Sequence, residues 1–187
     1  MGFTREQLKN FEGRAVPDLL GPDVRLLFVG INPGLWTAAT QTHFCHPSNR
    51  FYPALRRAGL IDLDIDTNVG MTDAQRAAFL ARGMGITNLV PRATARASEI
   101  DGAELRRGGV RLLATLATSR PTVAAIAGVT AYRLAFGRPG AVMGRQEPDV
   151  WGAQIWVIPN PSGLNAHETV ESVARWFAEV GRAAGLL

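Results

Sequence analysis

Apolar residues along the chain gather into four short runs, which are separated by polar segments rich in glycine and proline. The runs cover residues 26–29, 85–90, 122–127 and 154–158. Short continuous apolar runs are typical of strands that are buried on both faces of a parallel sheet. Stretches with helical periodicity lie between them, and strands that alternate with helices favour a layered α/β architecture. The pattern therefore predicts a three-layer α/β/α sandwich around a central, mainly parallel, four-stranded sheet.

Helices are predicted from the same pattern together with capping residues. They cover residues 4–20, 50–58, 72–82, 101–119, 130–136 and 168–184. Thr4 can cap the first helix, and Thr72 with Gln75 forms a capping-box pattern at the third. Residues 35–47 are predicted as an irregular loop, and residues 138–152 as a loop or an irregular edge hairpin. We expect one domain over residues 1–187, in which an N-terminal helix and turn (1–23) precede a catalytic core (24–187).

Two of the predicted strands end in rigid polar loops. The strand at 26–29 runs into Gly30-Ile31-Asn32-Pro33-Gly34, and the strand at 154–158 runs into Asn160-Pro161-Ser162-Gly163-Leu164-Asn165. Glycine permits backbone conformations that other residues avoid, and proline fixes φ, so both loops are tight and stiff. Ligands of open α/β sheets bind beyond the carboxyl ends of the strands, where these loops converge. The first loop alone is equally consistent with an ordinary strand-to-helix turn, because position in a fold does not establish function.

Composition narrows the function classes without choosing among them. The formal net charge is +4, and only one of the 20 basic residues, Lys9, is a lysine. Arginine suits bidentate contact with phosphate, although a GC-rich genome gives the same bias. The single cysteine, Cys45, excludes an internal disulfide framework and an all-cysteine zinc or iron–sulfur site. No apolar run approaches the ~20 residues that span a membrane, and residues 1–10 lack a signal-peptide core, so a cytoplasmic protein is expected.

Three separated segments give the chain a specific family resemblance. The two strand-end loops, together with His46-Pro47-Ser48-Asn49-Arg50-Phe51-Tyr52 between them, resemble the motifs of the mismatch-specific uracil-DNA glycosylase / thymine-DNA glycosylase family, within the uracil-DNA glycosylase superfamily. The resemblance runs from about Val24 to the C-terminal helix, and the single cysteine separates the chain from the iron–sulfur branches of that superfamily. It implies an enzyme that flips a base out of the duplex and hydrolyses its N-glycosidic bond.

The resemblance also assigns roles to individual residues. Asn32 would orient the hydrolytic water; an amide binds water but is not a base, so slow chemistry is implied. The base pocket would be formed by Gly30, Ile31, Thr37, Phe44 and Asn160. The wedge and the contact with the opposite guanine would come from Gly163, Leu164 and Asn165. Arg50 and Ser162 are candidate phosphate contacts, and a second water-activating group is sought in the loop of Arg92, Ala93 and Thr94.

Purely structural roles remain open for several of these residues. Asn32 could cap its own loop, Phe44 could belong to the core, and Leu164 could be a buried loop anchor. Trp36 replaces a smaller residue of the family and could narrow or line the cleft. Two histidines, at positions 43 and 46, could suggest a metal pair, but no further ligands accompany them, so neither a metal nor a cofactor is expected.

The predicted function is a monofunctional DNA repair glycosylase. It would remove uracil, or thymine or a damaged pyrimidine, mispaired with guanine in double-stranded DNA and leave an abasic site; we expect a monomeric, nucleoid-associated protein. The alternative is a catalytically weak protein that binds mismatched DNA, because Asn32 and Asn160 are both weak chemical groups. A Rossmann-type nucleotide-binding enzyme is a further alternative, but the glycines at 30 and 34 and the proline between them fit its fingerprint poorly.

Overall fold

Five strands form one sheet in the computed structural model, which describes residues 2–187. The strands are β1 (Leu26–Gly30), β2 (Met84–Asn88), β3 (Val123–Ala127), β4 (Gly144–Val150) and β5 (Ala153–Ile158). They lie in the order β2-β1-β3-β5-β4, in which β4 is antiparallel to β5 and all other pairs are parallel. The predicted α/β class with a mainly parallel sheet is confirmed, with five strands in place of four.

The additional strand, β4, lies in the segment predicted as a loop or an irregular edge hairpin. Its residues are half-buried or exposed, and Arg145 forms ion pairs with Glu147 and Asp149 along it. A strand of this polarity carries no apolar run, and it is tolerated at an edge because water covers one side. Pro148, which cannot donate to a ladder, lies within the irregular part of the pairing with β5.

Helices cover both faces of the sheet. Their bounds are α1 (Arg5–Lys9), α2 (Leu35–Thr40), α3 (Phe51–Arg57), α4 (Asp73–Ala81), α5 (Gly102–Ser119), α6 (Val129–Phe136) and α7 (Val170–Ala183), with a short 3₁₀ turn at Ala97–Glu99. Residues of α3, α4 and α7 pack in the core on one face, and residues of α5 and α6 pack on the other. Helices α1 and α2 contact each other.

The central strands are buried on both sides, which explains their unbroken apolar runs. Every residue of β1, β2 and β3 is buried. Successive side chains of a strand point to opposite faces, so Leu26 and Phe28 contact the core beneath α3 and α7, whereas Leu27 and Val29 contact the core beneath α5 and α6. This arrangement fixes the register of β1 and therefore the place where its polar loop begins.

Two predictions on helices near β1 are wrong. The first helix ends at Lys9 and not at residue 20, because Gly13 adopts a φ of +73° and the chain beyond it forms isolated bridges with β2 and the loop that follows it. The predicted loop at 35–47 contains helix α2. Gly34 begins α2 without a side-chain cap, and Gln41 ends it in the left-handed conformation, so the usual capping signals are lacking in the sequence.

Gly108 and Gly109, which would weaken an isolated helix, allow α5 to pack closely. A Cβ atom on Gly108 would collide with the Leu89 carbonyl oxygen, and one on Gly109 would collide with the Ala135 carbonyl oxygen. The first contact holds the chain at the end of β2, next to the polar edge of the sheet. No helix among residues 2–187 is both long and apolar enough to cross a bilayer.

Candidate active site

A cavity of about 420 Å³ opens at the carboxyl edge of the sheet, beyond the ends of β1, β2 and β5. Most of the predicted site residues line it, namely Ile31, Asn32, Thr37, Phe44, Thr94, Asn160, Ser162, Gly163 and Leu164. The others do not line it but lie within two positions of lining residues in the sequence, namely Gly30, Arg50, Arg92, Ala93 and Asn165. The fold thus brings together loops that are more than a hundred residues apart in the sequence.

The Asn32 side chain is held in one orientation. Its Nδ2 atom lies 2.8 Å from Thr94 Oγ1, 3.0 Å from the Pro33 carbonyl oxygen and 3.2 Å from the Arg92 carbonyl oxygen. The Thr94 hydroxyl donates its own hydrogen to the Arg96 carbonyl oxygen at 2.8 Å, so it accepts from the amide. Carbonyl oxygens only accept, and the Asn32 nitrogen must therefore face this loop.

The Asn32 oxygen is left open to the cavity. Within residues 2–187 no group donates a hydrogen bond to Oδ1, and no buried side-chain oxygen lacks a partner, so Oδ1 is accessible. The nitrogen stabilises the loop, which agrees with the considered role of Asn32 as a cap of its own loop. The oxygen remains free to accept a hydrogen bond. This division lets one side chain hold its own loop and also bind a water molecule.

The loop after β2 meets the cavity through Thr94. The hydroxyl of this buried residue is engaged by Asn32, and the neighbouring Ala93 is fully buried. Arg92 turns away and donates to both carboxylate oxygens of Glu104, at 2.7 and 2.8 Å. This hydrogen bonding lowers the pKa of Glu104 to about 2. A second water-activating group in this loop stays a prediction, and the visible role of Thr94 is to orient Asn32.

Phe44 forms a flat apolar wall of the cavity. Its ring stacks on Phe51, with ring centroids 4.2 Å apart and planes 19° apart. Its φ of +57° is uncommon for a residue other than glycine. The chain is held there by the Tyr52 hydroxyl, which donates to the carbonyl oxygen of His43 at 2.8 Å. Phe44 therefore packs on the core through Phe51 and also lines the cavity. Its position is compatible with both roles considered for it, a core residue and a wall of the base pocket.

The cavity is also lined by two buried polar residues, Asn88 and His43, which the sequence interpretation did not assign to the base pocket. Asn88, the last residue of β2, is 5% exposed, and His43 is 3% exposed. Asn88 Nδ2 lies 3.0 Å from His43 Nδ1, and His43 Nε2 lies 2.8 Å from the Pro17 carbonyl oxygen. An asparagine at the end of an interior strand was the available signal, because asparagine is seldom buried without a specific partner.

Gly30 contributes by having no side chain. A Cβ atom there would collide with Asn88 Oδ1 and would lie 3.0 Å from Phe44 Cζ. Gly30 therefore lets Asn88 and Phe44 approach each other at the base of the cavity. Its predicted place beside the pocket is consistent with this contact, although it does not line the cavity itself.

Ile31 and Thr37 complete the wall near β1. Ile31 is half-buried in the loop, and Thr37, in helix α2, is 5% exposed. Trp36 does not line the cavity. Its indole nitrogen donates to the Thr67 carbonyl oxygen at 2.6 Å, and its ring packs edge-on against His46. The larger residue at position 36 therefore supports the surrounding loops and leaves the cleft unobstructed.

The loop after β5 is tied down by its own side chains and by Arg50. Asn160 Oδ1 accepts from the Ser162 backbone N–H at 3.0 Å, and Asn165 Nδ2 donates to the Asn160 carbonyl oxygen at 3.1 Å. Arg50 Nη1 donates to the Ser162 carbonyl oxygen at 2.6 Å. The contact that Arg50 makes in the protein is therefore with this loop. Phosphate contact by Arg50 and Ser162 stays a prediction.

Leu164 projects from this loop into solvent. It is 87% exposed, which excludes the alternative that it is a buried loop anchor. The neighbouring Gly163 packs so tightly that a Cβ atom there would collide with Ser48 Oγ. An exposed leucine on a fixed backbone at the edge of a cavity is unusual for a purely structural residue, because its apolar surface stays in water.

Two histidines and a cysteine at the cavity favour their neutral forms, whereas Arg96 brings a positive charge to its lining. No lining residue is an aspartate or a glutamate. Burial lowers the pKa of His43 and of His46, and burial raises the pKa of the Cys45 thiol. Within residues 2–187 no three histidine, cysteine or acidic side chains come close enough to hold a metal ion. The lining therefore offers amides, hydroxyl groups, two histidines and Arg96, but no carboxylate that could act as a base.

Comparison with known proteins assigns the family. The model of the uracil DNA glycosylase superfamily matches residues 17–180, which include every residue that lines the cavity. The solution NMR structure of a candidate uracil DNA glycosylase from Methanosarcina acetivorans is similar, with a TM-score of 0.58 and 17% sequence identity over 92% of this chain and 98% of that chain. At that identity the structural likeness shows the fold alone. Because the family model covers most of the chain, the protein belongs to the uracil DNA glycosylase superfamily.

Proposed function

We propose that the protein is a monofunctional DNA glycosylase that hydrolyses the N-glycosidic bond of uracil, or of thymine or a damaged pyrimidine, mispaired with guanine. The product would be an abasic site. The observation that carries this proposal is the Asn32 amide, whose nitrogen is held by the loop after β2 while its oxygen faces the cavity. An acceptor fixed in this way is suited to orient a water molecule beside a flipped nucleotide.

The reaction would rely on the positioning of a water molecule and not on a strong base. Asn32 Oδ1 would accept a hydrogen bond from water and hold the water near C1′ of the sugar. Since no carboxylate lines the cavity, the water would attack as a neutral molecule on a sugar that already has oxocarbenium character. Such a reaction is slow unless the departing base is a good leaving group, and this favours uracil and pyrimidines with electron-withdrawing substituents.

The base would be held by stacking and by an amide. Phe44 offers its ring as a platform, and base–aromatic stacking contributes ~1–3 kcal/mol. Asn88 would read the edge of the flipped pyrimidine, because its side chain lines the cavity beside the same ring. The backbone around Ile31 would present N–H groups to a carbonyl of the base, as in an oxyanion hole.

The nucleophiles available at the cavity support a monofunctional reaction. Glycosylases that also cleave the strand attack the sugar with an amine, which forms a Schiff base. The only lysine, Lys9, lies exposed in α1, and no lysine lines the cavity. Water would therefore be the nucleophile, and the strand would stay intact until alkali or heat cleaves the abasic site.

The preference for a mispair would come from the loop after β5. Leu164 would enter the space that the flipped base leaves. The backbone of Gly163 and Asn165 would contact the guanine that is left unpaired in the opposite strand. Inserted apolar side chains of this kind unstack a step at a cost of a few kcal/mol. The exposure of Leu164 and the rigid backbone beneath it support this role.

The test is a single-turnover excision assay on synthetic duplexes. Uracil or thymine is placed opposite guanine, with uracil opposite adenine and normal cytosine–guanine pairs as matched controls. We expect abasic product from the guanine–uracil duplex first, and strand cleavage only after alkali treatment. Binding to mismatched duplexes without abasic product from any of them would contradict the proposal and would favour the mismatch-binding alternative.

A further inference from the structure

Arg96 is the one residue of the cavity lining whose side chain carries a permanent charge. It is exposed and lies between Thr94 and the 3₁₀ turn at Ala97–Glu99. No residue of the lining is acidic, and within residues 2–187 no carboxylate forms an ion pair with the Arg96 guanidinium. The cavity therefore has a positive charge at its lining that the protein does not neutralise.

The backbone of Arg96 is held by two hydrogen bonds. Its N–H donates to Glu99 Oε1 at 2.9 Å, and its carbonyl oxygen accepts from the Thr94 hydroxyl at 2.8 Å. The same hydroxyl accepts from Asn32 Nδ2 at 2.8 Å. One side chain thus joins Arg96 to Asn32, so the guanidinium extends from a fixed point close to the residue that is proposed to hold the water.

Other arginines near this edge of the sheet are bound to the protein. They donate to groups in neighbouring segments, namely Arg50 to the Ser162 carbonyl oxygen, Arg92 to the Glu104 carboxylate and Arg111 to the Leu89 carbonyl oxygen. Each of these contacts holds a loop or the end of a strand in place. The charge of Arg96 faces the cavity instead, which is the arrangement expected of a group that meets an anionic ligand.

The cavity has a buried floor and an exposed rim, which suit different parts of a nucleotide. Phe44 packs on the core and Asn88 is 5% exposed, whereas Arg96 and Leu164 are exposed. A flipped base would reach the floor. The phosphates of its nucleotide would stay at the rim, because a charged group is costly to bury. A guanidinium binds phosphate oxygens through two parallel hydrogen bonds, so Arg96 is matched to this part of the substrate.

We propose that Arg96 binds a phosphate diester next to the flipped nucleotide. The inference rests on the proposed function and deepens it, since it names the anion subsite that holds the substrate backbone beside Asn32. The contact would fix the sugar so that C1′ meets the water on Asn32. A departing pyrimidine anion is the other ligand that this charge would attract, and the experiments distinguish the two.

The first experiment is a methylphosphonate scan of binding. Duplexes carry 2′-fluoroarabino-uridine, whose glycosidic bond resists hydrolysis, opposite guanine, and the phosphates around it are replaced one at a time by uncharged methylphosphonate. One replacement should weaken binding by the parent about tenfold. Arg96→Gln should bind the unmodified duplex about tenfold more weakly and should lose nothing further at that phosphate. Equal losses in the parent and in Arg96→Gln at every position would overturn the proposal.

Two further variants serve as controls for charge and for overall basicity. Arg96→Lys keeps the charge but not the planar fork, so its affinity should lie between those of the parent and Arg96→Gln. Arg57→Gln removes an exposed arginine of α3 outside the cavity lining and should keep the parent's pattern across the scan. The slope of log affinity against log salt should be smaller by about one in Arg96→Gln than in Arg57→Gln. Equal slopes would contradict the phosphate contact.

Excision rates distinguish the phosphate from the departing base. A group that stabilises the departing anion matters less for 5-fluorouracil, which leaves more readily than uracil. Loss of a phosphate contact in Arg96→Gln should instead change single-turnover excision of both bases by the same factor. A markedly greater loss with uracil would overturn the proposal in favour of the base anion. Absence of all excision by the parent would contradict the proposed function, and the binding scan would still decide the role of Arg96.

Discussion

Asn32 and Asn88 use their amides in the same way. Each amide nitrogen bonds to the protein, to Thr94 and backbone carbonyls in one case and to His43 in the other, and each oxygen is open to the cavity. A free amide could rotate and present either end. Holding the nitrogen removes that freedom before the substrate binds, so less conformational entropy is lost in the transition state.

Thr94 is expected to control the rate through Asn32. Thr94→Val removes the oxygen that accepts from Nδ2 at 2.8 Å, so the amide should lose its preferred orientation and single-turnover excision should slow by about tenfold. Thr94→Ser keeps the hydroxyl and should retain most of the activity. Thermal unfolding of both variants serves as the control for stability. Equal rates for Thr94→Val and the parent would show that Thr94 does not orient Asn32.

Phe44 is expected to hold the flipped base. Phe44→Ala should weaken capture of the base by ~1–3 kcal/mol, because the stacking platform on Phe51 is lost, whereas Phe44→Tyr should preserve it. Fluorescence of a flipped base analogue measures the capture. Binding to an abasic product duplex is the control and should change little, since no base is left to stack. An unchanged fluorescence signal in Phe44→Ala would restrict the residue to a role in the core.

At the scale of elements, the site consists of loops fixed to the ends of buried strands. The loop after β1 is held by the loop after β2, and the loop after β5 is held by Arg50 at the start of α3. Stiff loops keep a small set of side chains in place, which a reaction without a strong base requires. The exposed Leu164 is carried by one of these loops, so it can be presented to DNA with little loss of freedom.

Leu164 is expected to matter in duplex DNA only. In a duplex, stacking returns the flipped base unless an apolar side chain fills the gap, whereas a single strand has no such gap. Leu164→Ala should therefore reduce single-turnover excision far more on duplex than on single-stranded uracil DNA. Leu134→Ala, at an exposed leucine of α6 outside the cavity lining, is the matched control. An equal reduction on both substrates would assign Leu164 to the pocket or the fold.

The interior strands were predictable because burial on both faces leaves an apolar run. Edge strand β4 has no apolar run, so its polar and charged residues predicted only a loop or an irregular edge hairpin, and helix α2 lacks a capping side chain. The loops of the site were predictable as loops from their glycine and proline residues. Their contacts with one another were not, since a hydrogen bond such as that between Asn32 and Thr94 joins residues 62 positions apart.

The part of the site that sequence reasoning missed depends on packing. His43 and Asn88 are 45 positions apart, and neither belongs to a motif that indicates their bond. Leu164 and Phe44 could be assigned because the family resemblance covers their segments. The exposure of Leu164 and the dual contacts of Phe44 became evident only from the arrangement of the loops in three dimensions.

For the whole molecule, the buried His43 makes stability depend on pH. Burial lowers the pKa of His43 below 6.5, with a further lowering by Arg76 and opposition from the Pro17 carbonyl and Asp18. The unfolded chain therefore binds a proton at a higher pH than the folded protein does. The contribution to stability is complete above pH 6.5 and is lost as the pH falls from there through the lowered pKa of the folded state.

Urea unfolding between pH 7.5 and pH 5 measures this dependence. The free energy of unfolding should fall with pH less in His43→Gln than in the parent, because the variant has no ionisable group at this position. His167→Gln, which changes an exposed histidine, is the matched control and should follow the parent. Identical pH dependence in the parent and His43→Gln would show that His43 is not held neutral by the fold.

Asn32 is expected to act in the chemical step and not in holding the DNA. The most direct measurement is single-turnover excision by Asn32→Ala on a guanine–uracil duplex, together with the affinity of the same variant for that duplex. Excision should be largely abolished, because no acceptor holds the water, while the affinity should stay within a few-fold of the parent. Equal excision rates for Asn32→Ala and the parent would show that Asn32 does not position the water.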